Sequence, residues 1–377
     1  MDEQRTSVNS KTSLLIGIVI AIVGLFSFSK NIDKNRKFDE LALGKNVTVE
    51  FGSFKNYKIH CQDLKDIDQC LYGYKHFGKN MPVILWLGNS QLHAINQFKQ
   101  GDEVSSVKLH RYLKKHKNFL LTASQPNSNL QEHLILASYF IKKLPVKKII
   151  LPIVFDDMRE NNIRIDIENS FEEEEISNFI KESSQSGKNL YQSYQKRNLN
   201  NYNNAEYSMQ EKSEKILNTY LKEHWSLWSL RENLRSETFG LLYRLRNYIF
   251  RINPSSTRKI IQGHYKKNIK ALKDLIYILN KNNIEIFIYI VPIRNDLKIP
   301  YNLDEYDNFK KEIRFLAQKN NIKIKNFENL IPNSFWGKKD STSITKKKEI
   351  DFMHFQSRGH DLLAEAIYKE LNIIPSK

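Results

Sequence analysis

The sequence predicts an α/β protein: a mainly parallel sheet with helices on both faces, a long helical insertion, and an apolar segment at the N-terminus. Three observations carry that expectation. Five short β-branched or apolar runs alternate with amphipathic stretches. A polar, Asn-, Ser-, Glu-, Lys- and Tyr-rich stretch breaks that rhythm between residues 160 and 262. Residues 13–29 carry no charge at all. At one domain per ~150 residues, 377 residues suffice for one large core with attachments.

Taken from the N-terminus, residues 1–12 form a short tail and residues 13–29, SLLIGIVIAIVGLFSFS, a transmembrane anchor. A globular helix keeps a polar face, and this run has none; its length is at the short end of what crosses a ~30 Å hydrocarbon core. A cleaved signal peptide is the rival, with Ser27 and Ser29 as a weak processing site. Counting Arg5 and Lys11 against Lys30, Lys34, Arg36 and Lys37 favours a cytoplasmic body by the positive-inside rule, but a Lys-rich chain with so short a tail makes that count a poor guide. The two cysteines, Cys61 and Cys70, lie close together in the connecting segment 30–80, as a local disulfide of an oxidising compartment would. Two unrelated buried thiols are the other reading. The body is therefore expected on the extracytoplasmic side, in the periplasm or at the cell surface.

Beyond residue 80, strands are expected at Val83 to Leu87, Phe119 to Thr122, Lys148 to Phe155, Ile284 to Val291 and Ile322 to Lys325, and helices at Leu130 to Lys143, Ile269 to Lys281, Asp304 to Asn320 and Gln356 to Leu371. Together they make one domain, 81–372, with an insertion at about 160–262. The insertion holds an acidic run, Glu172 to Glu175, and an aromatic cluster, His224, Trp225 and Trp228; these read as a helix start and a small local core, or as a cap or partner surface.

The 59 basic and 42 acidic residues leave a net charge of +17, which raises nucleic acid as a partner. The excess is scattered lysine, without a helix-turn-helix, zinc-finger spacing or arginine-rich aromatic sheet to present it to a groove. No nucleic acid is expected. No Cys-x-x-Cys or histidine cluster suggests a metal, and no cofactor is expected.

Ligands of an open parallel sheet bind at the carboxyl ends of its strands. The first strand ends Gly88-Asn89-Ser90, which sets a hydroxyl at the first turn of the next helix; the same tripeptide is also an ordinary helix cap. Near the other end stands Asp351-Phe352-Met353-His354, ahead of the last helix. A serine needs a base to take its proton, and the base needs a partner to hold its tautomer. Asp-x-x-His supplies both.

Order, strand context and distance from the termini make these two motifs resemble the first and last blocks of the SGNH, or GDSL, hydrolase superfamily. The resemblance covers about residues 81–160 and 262–372. It implies a three-layer α/β/α sandwich with a flavodoxin-like sheet, and it implies Ser90 as nucleophile, His354 as general base and Asp351 as its orienter. From their positions, one turn after Ser90 and on the last helix, His93 and His360 are substitute bases, better explained as structural. The middle blocks depart from the pattern. Where the family has an oxyanion-hole Gly after the second strand, this chain offers Ser128 or Asn129; where it has an Asn after the third, this chain has Asp156 or Asp157, with Arg159 nearby. A carboxylate facing an oxyanion opposes catalysis, so either it turns away and Arg159 supplies the positive group, or the site differs in mechanism; a degenerate oxyanion hole would also fit a noncatalytic scaffold beside a membrane acyltransferase. Arg294 after the fourth strand either binds an acidic or polyol substrate or pairs with Asp296.

An N-terminal anchor ahead of such a body is similar to proteins of teichoic-acid D-alanylation and exopolysaccharide O-acetylation, which work beside a multispanning membrane O-acyltransferase. The expectation is a membrane-anchored serine acyltransferase or esterase acting on O-acyl groups of a cell-envelope glycan or polyol. A carbohydrate deacylase would share the same triad.

Overall fold

The computed structural model describes residues 52–372, apart from 62–65, 96, 100, 204–212, 214–216, 218, 222–230, 340 and 345–347. The apolar run 13–29 lies outside the described residues, as do Trp225 and Trp228. Among the described residues no helix is long and apolar enough to cross a membrane. The chain divides into two compact units: a main unit of residues 46–200, 253–341 and 346–377, and a second that takes in 201–252 and 342–345.

A short hairpin, β1 (Ser53–Phe54) and β2 (Tyr57–Lys58), opens the main unit, followed by β3 (His60–Cys61) and helix α1 (Ile67–Phe77). The segment read from sequence as a connection thus belongs to the body. Strands β4 (Val83–Gly88), β5 (Phe119–Ser124), β6 (Val146–Ile153), β7 (Glu285–Ile290) and β8 (Lys323–Asn326) follow, and with β3 they form a six-stranded parallel sheet of order β3-β5-β4-β6-β7-β8. Setting aside the added edge strand β3, the order is that of a flavodoxin-like sheet. Helices α2 (Ser105–Lys114) and α3 (Leu130–Lys143) connect the early strands, with α4 (Ile165–Glu168), α5 (Glu174–Ser183) and α6 (Gln185–Asn203) in the insertion. The second unit holds α7 (Arg231–Ile249), and the main unit resumes with α8 (Gln262–Lys281), α9 (Leu303–Lys319), the antiparallel pair β9 (Trp336–Lys339) and β10 (Glu349–Phe355), and α10 (Ser357–Glu370).

The sheet is buried on both faces because its strands are apolar on both. Val83, Leu85 and Leu87 of β4 join one core with Phe119 and Leu121 of β5 and with α3 and α8, while Ile84 and Trp86 join the other with Leu109 and Leu113 of α2 and Leu363 and Ile367 of α10. Successive side chains point to opposite faces, so one run of apolar residues feeds two cores.

Chain order reverses beside β4, which lies between β5 and β6. The β4–β6 ladder ends at Trp86 and Ile150. Ile153 O accepts from Val291 N on the β7 side, so the alternate residue Pro152 faces β4, where it has no N–H to donate. The two strands part there, which opens a crevice at their carboxyl ends.

Candidate active site

Three elements meet at that crevice. Gly88 ends β4, and a side chain on it would place its Cβ 2.3 Å from Leu92 Cδ1 and 3.3 Å from Ser124 Cβ, so the tight exit from the strand requires glycine. Asn89 then caps a 3-10 turn of Ser90–Leu92, its Oδ1 accepting from Gln91 N at 3.0 Å. The long helix expected to begin at Ser90 is absent: His93 returns to extended backbone, and α2 starts only at Ser105. Ser90 therefore heads a single turn, and no helix-length dipole acts on its hydroxyl.

The partner for that hydroxyl comes from β10. Its ladder with β9 shifts register between Ile350 and Phe355, and the residues between them fold on Asp351, whose Oδ1 accepts from Met353 N at 2.9 Å and His354 N at 3.0 Å. This Asx-type turn replaces ladder bonds and turns the imidazole toward β4. Ser90 Oγ lies 3.0 Å from His354 Nε2, and His354 Nδ1 lies 2.9 Å from Asp351 Oδ2. Ser90, His354 and Asp351 are all buried, at 8%, 8% and 2% exposed, leaving the serine and the imidazole a narrow access to solvent. With both Asp351 oxygens accepting, Nδ1 carries the proton and Nε2 is left to receive one from the serine.

Two residues that the sequence reading did not single out hold this arrangement. Gln91 Nε2 donates to Pro292 O and Met353 O, each at 2.9 Å, which ties the serine turn to the segment after β7 and to the histidine turn. Asn89 Nδ2 donates to Asp157 Oδ2 at 2.8 Å across the β4–β6 crevice. Burial holds the Asp157 carboxyl well above the usual range, against the opposing pull of the Asn89 hydrogen bond. Only their position beside Ser90 hinted at these roles, and amide side chains in such turns are usually caps.

The remaining candidates are engaged in other ways. Asn129 is the N-cap of α3, its Oδ1 accepting from Gln131 N and Glu132 N while its Nδ2 donates to Asn162 O at 2.9 Å. Ser128 is fully buried, and its Oγ has no hydrogen-bond partner among the described residues. Asp156 pairs with Arg258, and it accepts from Tyr301 Oη at 3.0 Å. Arg159 pairs with Asp156 at 3.5 Å and donates Nε to Lys259 O at 2.8 Å, a salt bridge instead of an oxyanion donor. Arg294 Nε and Nη2 donate to Asp296 at 2.7 and 2.9 Å, and that pairing raises the Arg294 pKa. Cys61 of β3 and Cys70 of α1 form a disulfide.

Behind the serine runs a buried polar ladder. Ser124 Oγ, at the end of β5, lies 2.7 Å from His93 Nε2 and 2.6 Å from His60 Nε2, and His60 Nδ1 lies 2.9 Å from Ser106 Oγ. His360 Nδ1 accepts from Ser105 N at 3.1 Å. Burial, reinforced by electrostatic interaction with the neighbouring His354, lowers His93 to about 3, and His60 and His360 are pushed well below the ordinary range, chiefly by burial. His60 spends both ring nitrogens on serines and His93 and His360 each spend one, and His354 is the imidazole in contact with Ser90. Among the described residues no group of three or more His, Cys, Asp or Glu is arranged to hold a metal ion.

No protein-family model and no curated protein matches the chain. Among solved structures it is similar to a crystal structure of a "putative acylhydrolase" from Bacteroides fragilis NCTC 9343, with 10% identity and a TM-score of 0.33, over 80% of this chain and 95% of that one.

Proposed function

We propose that the chain is a serine acyl-transfer enzyme, an esterase or acyltransferase that works through an acyl-Ser90 intermediate. The observation that carries this reading is the unbroken sequence Ser90 Oγ, His354 Nε2, His354 Nδ1, Asp351 Oδ2, at 3.0 and 2.9 Å, formed by residues 264 positions apart in the chain. In the forward step the Ser90 proton moves to His354 Nε2 as Oγ bonds the acyl carbon. The imidazolium then returns that proton to the departing alkoxide. Water or an acceptor hydroxyl reverses the sequence and frees the serine. Asp351 keeps the Nδ1 tautomer and stabilises the imidazolium without taking its proton.

The two acidic residues after β6 do not oppose this chemistry. Asp156 faces its own cations. Asp157 is held toward its neutral form by burial, so it adds little negative charge beside the oxyanion. This favours the catalytic reading over a noncatalytic scaffold. The apolar run 13–29 and the disulfide support a membrane-tethered body acting outside the cytoplasm on O-acyl groups of an envelope glycan or polyol, beside a multispanning membrane O-acyltransferase. Tethering raises the effective concentration of both surface-bound reactants.

The full chain incubated with an activated acetyl ester should release acetate and carry an acetyl adduct on Ser90 by mass spectrometry. Ser90→Ala should lose the adduct and on the order of 10³-fold or more of the rate. Equal turnover by Ser90→Ala removes the proposal. Adding candidate glycan acceptors and weighing acylated glycan against free acetate separates transfer from hydrolysis.

A further inference from the structure

Two adjacent acids follow β6, and the fold treats them oppositely. Asp156 pairs with Arg159 and Arg258. Asp157 is 6% exposed, forms no ion pair among the described residues, and has one side-chain partner, Asn89, across the crevice. A buried carboxyl group without a cation takes up a proton instead of keeping its charge. Burial acts in that direction here, and the nearby carboxylates of Asp156, Glu160 and Glu132 add to it against the pull of the Asn89 hydrogen bond. The hydrogen bonds also fix which oxygen carries the proton. Asn89 Oδ1 accepts from Gln91 N at 3.0 Å, so the other end of the same amide, Nδ2, is a donor. It reaches Asp157 Oδ2 at 2.8 Å, which makes Oδ2 the carbonyl oxygen of the acid and places the proton on Oδ1. That oxygen takes no hydrogen bond among the described residues, and it is not shut away from solvent.

The fold thus anchors an unpartnered O–H donor, through Asn89, to the turn that carries Ser90. A tetrahedral acyl intermediate needs such a donor, because the acyl oxygen becomes an anion as Ser90 Oγ bonds the carbon. The other side chains considered for that role are engaged or out of reach: Asn129 Nδ2 and Arg159 Nε donate to main-chain oxygens, Arg294 pairs with Asp296, and Ser128 is fully buried. We infer that Asp157 is a catalytic residue whose Oδ1 hydroxyl donates a hydrogen bond to the acyl oxygen of the substrate as Ser90 attacks. The proton is shared in that bond and stays on Asp157, so the transfer between Ser90 and His354 is unchanged. This rests on the acyl-Ser90 reading and adds to it the group that stabilises its intermediate.

The test assays the full chain with an activated acetyl ester across neutral and alkaline pH, following acetylation of Ser90 by mass spectrometry in the same samples. Asp157→Ala should lose about 10²–10³-fold in kcat with little change in KM, as removal of one donor to an oxyanion does. Asp157→Asn sets an amide N–H where the hydroxyl stood, and it should recover at least about tenfold of that loss. Wild-type kcat should fall at alkaline pH as the carboxyl ionises, and Asp157→Asn, with no proton to lose there, should not share the fall. A fall that persists in Asp157→Asn overturns the inference, as does an Asn variant no faster than the Ala variant. A wild-type rate that holds at alkaline pH would mark Asp157 as an anchor for Asn89 alone, and overturns it too. Because the Asn variant keeps an acceptor for Asn89 Nδ2, its pH profile decides the matter even if Asp157→Ala fails to fold. Ser90 acetylated at the wild-type rate in both variants removes the role of Asp157 and leaves the acyl-serine reading standing, whereas a wild type without any Ser90 adduct removes that reading and the inference with it.

Discussion

At the scale of single residues, the site depends on which groups are charged. Folding holds the Asp157 carboxyl well above its ordinary range, so the folded state binds a proton that the unfolded chain releases above pH ~4. The stabilisation is complete below that pH and is lost as pH rises toward the folded pKa. Asp157→Asn keeps an acceptor for Asn89 Nδ2 without a proton to lose. Its melting temperature relative to wild type should therefore climb steadily above pH 4, whereas a pH-independent difference would show that Asp157 does not titrate as its burial requires. For Asp351→Asn, turnover is expected to fall by about 10⁴-fold, because an amide can hold the wrong tautomer of His354.

At the scale of elements, the serine turn and the histidine turn are held by one side chain. Losing the two Gln91 Nε2 bonds to Pro292 O and Met353 O frees the two turns to drift, and a displacement of ~1 Å between reacting groups costs on the order of 10²-fold in rate. Gln91→Ala should therefore lower kcat by about that factor while leaving the melting temperature within a few degrees of wild type. An unchanged kcat would assign Gln91 to packing alone. At the sheet edge, β3 has only two residues in the ladder, and the Cys61–Cys70 link, nine residues apart, ties it to α1. Closing a loop of that size is worth ~2.5 kcal/mol in the chain-entropy account, so Cys61→Ser with Cys70→Ser should lower stability by about that amount in a denaturant titration.

The whole molecule is expected to be labile to acid. Burial lowers His93 to about 3 and His110 and His133 to about 4, and holds His60 and His360 well below the ordinary range. All five fold neutral, and on unfolding each takes up a proton below its ordinary pKa of ~6.5. Stability should therefore fall as pH drops from ~6.5 toward 4, by up to ~1.4 kcal/mol per pH unit for each histidine. Melting curves across that range measure the combined slope. His133→Gln should lessen it by one histidine's share, since His133 Nε2 serves only Gly88 O at 3.3 Å and its Nδ1 is buried without a partner among the described residues.

Local pattern was enough for the order of strands and helices. The helix expected at Leu130 to Lys143 is α3 to the residue, because a four-turn apolar stripe is written within the segment itself. The expected strand Lys148 to Phe155 is displaced by two residues from β6, because a run of apolar residues does not record where the neighbouring strand stops pairing. The serine and the Asp-x-x-His pair were also legible, since each motif is short and sits at a recognisable strand or helix boundary. What the sequence by itself determined about this protein is thus the five central strands, the helices that alternate with most of them, and the chemical kinds of residue at their ends. Only the tertiary structure decided that Ser90 and His354 touch, that Asn129 caps a helix, that Arg159 and Arg294 are spent on neighbouring carboxylates, and that Asp157 is held toward neutrality. The Ser90–His354 contact and the burial of Asp157 depend on distant parts of the chain, while the partners of Asn129, Arg159 and Arg294 lie two or three residues away, where local sequence offers several polar partners without choosing among them.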